Sequence, residues 1–268
     1  MHLKKPILNY GRIACTGAQP AGTLLVLHGL FGSGRNWQTL GRQFARHYDV
    51  VLPDLRNHGD SFWDDRMDYP SMAADVLDLL NHLQIRSALL LGHSMGGKTA
   101  MQCVRIAPDR WLKLVVADIA PVAYQHDYDE MLEPILKLNL ARYQSRREVD
   151  QALASSISDQ ALRMFVLQSL ELTPDGARWK LNWPVLKQQM ACITGFVPLD
   201  DWRIATPTLF IRGGLSPYLS DESLALINTH FSDYTAQTVQ GAGHWLHADK
   251  PAEFALKVLA FLQSTGSG

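Results

Sequence analysis

The hexapeptide Gly92-His93-Ser94-Met95-Gly96-Gly97 constrains this chain more than any other stretch. It follows the apolar run Ala88 to Leu91 and opens a helical pattern from Gly97 to Ala107. Gly-x-Ser-x-Gly between a strand and a helix predicts a sharp turn that lifts a serine hydroxyl above a sheet. Gly92 and Gly96 remove the side chains that would collide there. The turn also aims the free N–H groups of the next helix at the space beside the serine. The plain alternative is a glycine-rich turn with an incidental serine, and the flanking strand and helix weigh against it. A phosphate loop does not fit, because Lys98-Thr99 lacks the Gly-x-x-x-x-Gly-Lys-Ser/Thr spacing.

Five further apolar runs fit the same scheme: Thr23 to Leu27, Tyr48 to Leu52, Leu112 to Ala117, Thr208 to Ile211 and Thr235 to Val239. Helical stretches such as Trp37 to Phe44 and Ser71 to Leu83 separate them. Strands apolar on both faces and separated by helices predict an α/β fold, its mostly parallel sheet covered on both sides. Residues 124–201 break the alternation. They carry no strand pattern, only amphipathic helical text at Tyr128 to Tyr143, Ser145 to Ala154, Asp159 to Glu171 and Trp183 to Thr194, with a turn at Pro174-Asp175-Gly176. Such a span is too long for one crossover connection. The expected organisation is a core of residues 1–123 and 202–268 with a helical cap, 124–201, inserted into it.

Two loops complement the serine. His28-Gly29-Leu30-Phe31-Gly32 ends the first strong strand. A tetrahedral intermediate needs two converging N–H donors. Met95, directly after the serine, is one candidate; Leu30 is the other, with Phe31 second. His28 is expected to brace its loop. Gly241-Ala242-Gly243-His244-Trp245 follows the last strand. A serine hydroxyl needs an adjacent base. His244 is the candidate, with His247 as the fallback.

In order and spacing, His28-Gly29, Asp54-Leu55-Arg56-Asn57-His58-Gly59-Asp60-Ser61, Gly92 to Gly97 and Gly243-His244 resemble the α/β-hydrolase superfamily. Arg56 to Gly59, Lys98 and Ala117-Asp118-Ile119-Ala120-Pro121 are similar to the YbfF-type bacterial esterases. The Asp54 to Ser61 segment looks like the family's structural turn, with Asn57 where its first glycine stands. The resemblance implies the α/β-hydrolase fold, esterase activity and acyl-CoA thioesterase activity. Most members carry the acid of the triad after the strand that follows the cap. That position holds Ser216. Asp118, at the end of Leu112 to Ala117, is therefore the expected acid, with Asp221 as the weaker choice. Ser216 is expected to support Asp118 or His244 by a hydrogen bond.

The remaining features bound the partners. Net charge is −1 and no long basic block occurs, so nucleic acid is not an expected partner. No run reaches a membrane span, and no apolar segment follows the N-terminal lysines. Three scattered cysteines suggest neither a disulfide framework nor a metal cluster. A cytoplasmic setting, no cofactor and no metal are expected, with a small ester or thioester as substrate. The residues after Gln263 read as a flexible tail. Leu132, Leu136, Leu140, Met164, Phe165, Leu167, Trp179 and Trp183 are expected to pack the cap on the core, and some to line an acyl pocket. Arg142, Arg146, Arg147 and Arg163 read as a solvated surface rather than an anion site. Ser94 argues against dehalogenases and epoxide hydrolases, which need aspartate there. Carbon–carbon bond hydrolases, haloperoxidases and a non-catalytic receptor on the same scaffold stay open.

Overall fold

A computed structural model describes residues 5–125, 128–174, 176–197 and 202–264. The strands are β1 (Tyr10–Ile13), β2 (Thr23–Leu27), β3 (Asp49–Pro53), β4 (Ala88–His93), β5 (Trp111–Ala117), β6 (Leu170–Thr173), β7 (Gly176–Trp179), β8 (Thr208–Gly213) and β9 (Tyr234–Val239). The helices of the first half are α1 (Gln38–Phe44), α2 (Tyr69–His82) and α3 (Met95–Ile106). Then come α4 (Asp129–Lys137), α5 (Arg146–Ala154), α6 (Gln160–Leu167), α7 (Trp183–Gln188) and α8 (Met190–Thr194), and finally α9 (Asp221–His230), α10 (Leu246–Asp249) and α11 (Pro251–Gln263).

Seven strands form one sheet in the order β1-β3-β2-β4-β5-β8-β9. All pairs are parallel except β1 with β3. Alternate residues serve two cores, as the two-residue period of a strand requires. Leu25, Leu27, Leu90, Val116 and Phe210 pack with Met72, Val76 and Met101 on one face. Leu24, Val26, Leu91, Val115 and Ile211 pack with Phe44, Phe254 and Val258 on the other. The strand order reverses at β2: β3 lies on one side of it and β4 on the other. Ligands of such sheets bind beyond the carboxyl ends of the strands near this switch.

The turn after β3 explains the departure at Asn57. Its φ of 63° lies in the left-handed region, which asparagine tolerates better than most residues. Unlike glycine, it brings a side chain. Asn57 Nδ2 donates to the Asp64 carbonyl at 2.8 Å, and its Oδ1 accepts from Asn182 Nδ2 at 3.0 Å. The Asn182 N–H also donates to the Asn57 carbonyl, at 3.1 Å, so this turn ties the segment before α7 to the sheet.

Residues between β5 and β8 form α4 to α8, as the helical text suggests, but they are not all helical. Leu170–Thr173 and Gly176–Trp179 pair as an antiparallel hairpin, Leu170 opposite Trp179. The run from Met164 to Leu170 disguises it, because its apolar residues recur at helical spacing. Three expected helices are also shorter. Pro134 removes one backbone bond from α4, which ends at Lys137. The next helix is broken into α7 and α8 at Gln189. β1 was not expected, since Tyr-Gly-Arg-Ile carries no apolar run; it forms by pairing along β3. Asp175 of the expected turn and the tail beyond Ser264 lie outside the described residues.

Candidate active site

Ser94 stands between β4 and α3, with φ 53° and ψ −121°. Close approach explains the glycines: a Cβ on Gly92 would strike the Gly96 carbonyl, and one on Gly96 would meet the Leu27 and His28 carbonyl oxygens at 2.5 Å. The Ser94 N–H donates to the Ala117 carbonyl at 3.0 Å, which fixes the elbow against the neighbouring strand. Ser94 Oγ and His244 Nε2 are 3.0 Å apart. His244 comes from the loop after β9. Its carbonyl accepts from His93 Nε2 at 2.8 Å, so the residue preceding the serine holds the loop that carries the imidazole. Tyr218 stacks on the His244 ring, with centroids 4.0 Å apart. Sequence reasoning missed Tyr218; its only signal was its place two residues after Ser216.

Asp118 and His244 meet. The His244 Nδ1–H donates to Asp118 Oδ2 at 2.7 Å. Asp118 is fully buried at the end of β5, with φ 52°. Its other oxygen accepts from the Gly213 N–H at 2.9 Å. The Ser216 hydroxyl donates to Asp118 Oδ2, beside the imidazole. Ser216 thus occupies the usual acid position and meets the carboxylate that reaches there from β5. The two fallback residues lie elsewhere. Asp221 opens α9 and pairs with Arg212 at 2.7 Å. His247 stacks on Trp37 at 4.4 Å, and burial pushes its pKa down to about 3.

The loop after β2 is braced by two buried imidazoles. His28 Nδ1–H donates to the Gly29 carbonyl at 2.8 Å, and its Nε2 accepts from the Leu55 N–H at 2.9 Å. His58 Nδ1–H donates to the Arg56 carbonyl at 2.9 Å, while its Nε2 accepts from the Phe31 N–H at 3.2 Å. Burial lowers the pKa of both rings, that of His58 to about 3, where the nearby His28 also lowers it. The His58 contact distinguishes the two loop candidates. Phe31's N–H is engaged, whereas that of Leu30 has no acceptor among the described residues. Leu30, Ser94 and Met95 line a common cavity of about 40 Å³.

Lys98 lines the same cavity, one turn beyond Ser94 on α3. It is 1% exposed. Its Nζ donates to the carbonyls of Thr194 at 2.9 Å and Gly195 at 2.7 Å, and faces the Tyr124 ring at 4.8 Å. Burial pushes its pKa down to about 7. Sequence similarity alone had singled this lysine out, without a role. Of the inserted apolar residues, Leu132, Leu167 and Trp183 are buried, while Met164 is exposed. Leu136, Leu140, Trp179 and Trp183 line a separate cavity of about 610 Å³ with Trp63. Arg163 departs from the expected solvated surface: it is buried and donates to Asp150 at 2.8 Å and the Ile157 carbonyl at 2.7 Å. Among the described residues, no three histidine, cysteine or acidic side chains stand together as a metal site. No helix there is long and apolar enough to cross a membrane.

A hydroxyl, an imidazole and a buried carboxylate in one hydrogen-bonded line can turn a serine into a nucleophile. Comparison with known proteins agrees in fold and family. The α/β-hydrolase fold family matches residues 22–251. The chain belongs to the α/β-hydrolase family. Among its relatives is the Escherichia coli esterase YbfF, 38% identical over 229 residues, which cover 85% of this chain and 88% of that protein. An sn-1-specific diacylglycerol lipase of Xenopus tropicalis is 36% identical over 92% of this chain and 80% of its own. The solved structure of a marine microorganism esterase superposes with a TM-score of 0.90 at 35% identity, covering 96% of this chain and all of the other. The expected resemblance to YbfF-type esterases therefore holds in sequence, and the α/β-hydrolase fold in structure.

Proposed function

We propose that this α/β-hydrolase cleaves carboxylic esters through an acyl-enzyme on Ser94. One observation carries the reading: the unbroken line from Ser94 Oγ through His244 to Asp118, at 3.0 and 2.7 Å. The esterase and lipase relatives support it. His244 takes the serine proton as Ser94 attacks the carbonyl carbon. The N–H groups of Leu30 and Met95 receive the oxyanion. Collapse of the intermediate expels the alcohol, which His244 protonates. Water, deprotonated by His244, then releases the acid and restores Ser94. Asp118 holds the Nδ1–H throughout, fixing the neutral tautomer at the start and stabilising the imidazolium that forms. The residues between β5 and β8 act as a cap over this site.

A thiol can leave by the same route, so thioesters such as acyl-CoA belong to the same proposal. Arg142 and Arg147 remain exposed on the insert, and either could meet an anionic leaving group. The test is steady-state turnover of short p-nitrophenyl esters beside thioesters of the same acids. Ser94→Ala should lower kcat by roughly 10⁶-fold. Comparable turnover in Ser94→Ala would remove the acyl-enzyme. A single stoichiometric burst without turnover would point instead to a receptor on this scaffold.

A further inference from the structure

A lysine with 1% exposure needs a reason, because desolvating an ammonium is costly unless it is well partnered. The partner of Lys98 is the end of a helix. α8 stops at Thr194, and the last carbonyls of a helix have no acceptor role within it. Its carboxyl end is also the negative end of the helix dipole. Three successive carbonyls there are met from outside α8. The Tyr69 hydroxyl donates to Ile193 at 2.5 Å, and Lys98 Nζ donates to Thr194 and Gly195. The rings of Tyr69, Tyr124 and Phe196 face the ammonium at 4.8 to 5.6 Å. This seam is where the chain returns from the insert toward β8.

The same residues bound the cavity at Ser94. Tyr69, Lys98, Ile193 and Thr194 line it together with Leu30, Ser94 and Met95. Lys98 follows Ser94 by one helical turn, about 6 Å at the rise of an α-helix. A volume of about 40 Å³ is small. At roughly 10–15 Å³ for each water-sized group, it holds about three. We propose that Lys98 and Tyr69 determine acyl-chain specificity: by holding the carbonyls of Ile193 and Thr194, two residues of the wall of the Ser94 cavity, they restrict the enzyme to esters of short-chain acids. This rests on the acyl-enzyme reading and adds to it the class of acid carried. The ammonium and the phenol act as positioning groups that keep this wall in place, and they take no part in bond making.

The experiment is a kcat/KM series with p-nitrophenyl acetate, butyrate and octanoate, for the unaltered enzyme, Lys98→Met and Tyr69→Phe. Fluorophosphonate titration of Ser94 counts competent sites in each. The unaltered enzyme should favour acetate or butyrate over octanoate by at least about tenfold, the discrimination a hydrophobic pocket gives for a methylene or more. Lys98→Met keeps the length of the side chain but removes its donors, and should raise the octanoate-to-acetate ratio by about tenfold. Tyr69→Phe loses one carbonyl contact and keeps its ring, so it should shift the ratio in the same direction. If Lys98→Met does not fold, Tyr69→Phe decides. Equal rates on octanoate and acetate in the unaltered enzyme overturn the proposal. So does a parallel fall on all three esters, which is what a merely structural role gives. Failure of the parent reading looks different: no ester is turned over and Ser94 does not titrate.

Discussion

The carboxyl edge of the sheet and the segment inserted between β5 and β8 are held by different forces. At the edge, buried polar groups are fixed by backbone and by one another. Asp118 is fully buried and accepts from an imidazole, a hydroxyl and a backbone N–H. Four of the described non-glycine residues with positive φ, Phe31, Asn57, Ser94 and Asp118, stand there. Strain of that kind persists only where the surroundings over-determine it. The insert has no such residue among those described. Its charged contacts are largely exposed, as between Arg178 and Glu171; its apolar residues, such as Leu132 and Trp183, share one hydrophobic cluster with the sheet, and polar seams such as Asn57 with Asn182 and Lys98 with Thr194 tie it to the rest. The difference separates two properties: the edge should govern the rate of the chemistry, and the seams should govern which ester reaches it.

The comparison breaks most visibly at Asp118. Asp118→Asn keeps the shape but cannot hold the reactive tautomer of His244, and kcat should fall by about 10⁴-fold with little change in KM. Stopped assays on butyrate esters read this directly. A fall of less than about tenfold would return the acid role to another group.

Ion pairs offer a second contrast, in stability rather than rate. Arg56 and Asp75 are 3% and 1% exposed and share a two-point contact at 2.6 and 2.9 Å. Arg56→Met leaves a buried carboxylate whose remaining cation among the described residues is Lys5 at 3.4 Å, and should cost about 3 kcal/mol in urea unfolding. Arg178→Met, in the insert, should leave the midpoint where it was. Equal losses would erase the distinction between the two regions.

Acid should act on the same contrast. His28, His58 and His93 are buried and His247 is half-buried beside them, and burial lowers the pKa of each, with His58 and His247 near 3. Neighbouring imidazoles lower His93 and His247 further. An unfolded histidine titrates near 6.5, so between about pH 6.5 and 3 the unfolded chain binds more protons than the folded one. Stability is therefore full above about pH 6.5 and declines as pH falls through that window. Urea midpoints measured from pH 7 down to 4 should drop, and His58→Gln should flatten the curve. A flat curve in the unaltered protein would mean that these rings are not held neutral.

What was legible in the sequence follows the same division. The six core strands, the elbow and His244 could be read because each is specified locally, by a buried apolar run or by glycines that a turn demands. Asp118 was reached by elimination at Ser216, and its partnership with Ser216 was expected from position alone. The hairpin Leu170–Thr173 with Gly176–Trp179 could not be read, because its apolar residues continue the helical spacing of α6. The burial of Arg163 and the seam at Lys98 were also hidden. Arg163 reaches back to the loop carbonyl of Ile157 just before α6, and Lys98 reaches the end of the distant α8, and no periodicity records where those carbonyls will lie. Tyr218 belongs to the same class, since its stacking on His244 joins two loops.

Ser216 gives the smallest effect and the sharpest test of how the edge works. Its hydroxyl donates to the Asp118 oxygen that also receives His244, and it accepts weakly from the Tyr218 N–H at 3.3 Å. Ser216→Ala removes one donor to a buried carboxylate, an interaction worth about 1.5–3 kcal/mol. Two donors remain, the Gly213 N–H and His244 itself, so the carboxylate should stay in place. A fall in kcat of roughly tenfold is expected, the lower end of that range, since 1.4 kcal/mol is one factor of ten. An unchanged rate would mean that backbone and imidazole alone orient Asp118. A loss as large as that of Asp118→Asn would mean the opposite: the carboxylate from β5 works only because a hydroxyl at the end of β8 completes its site.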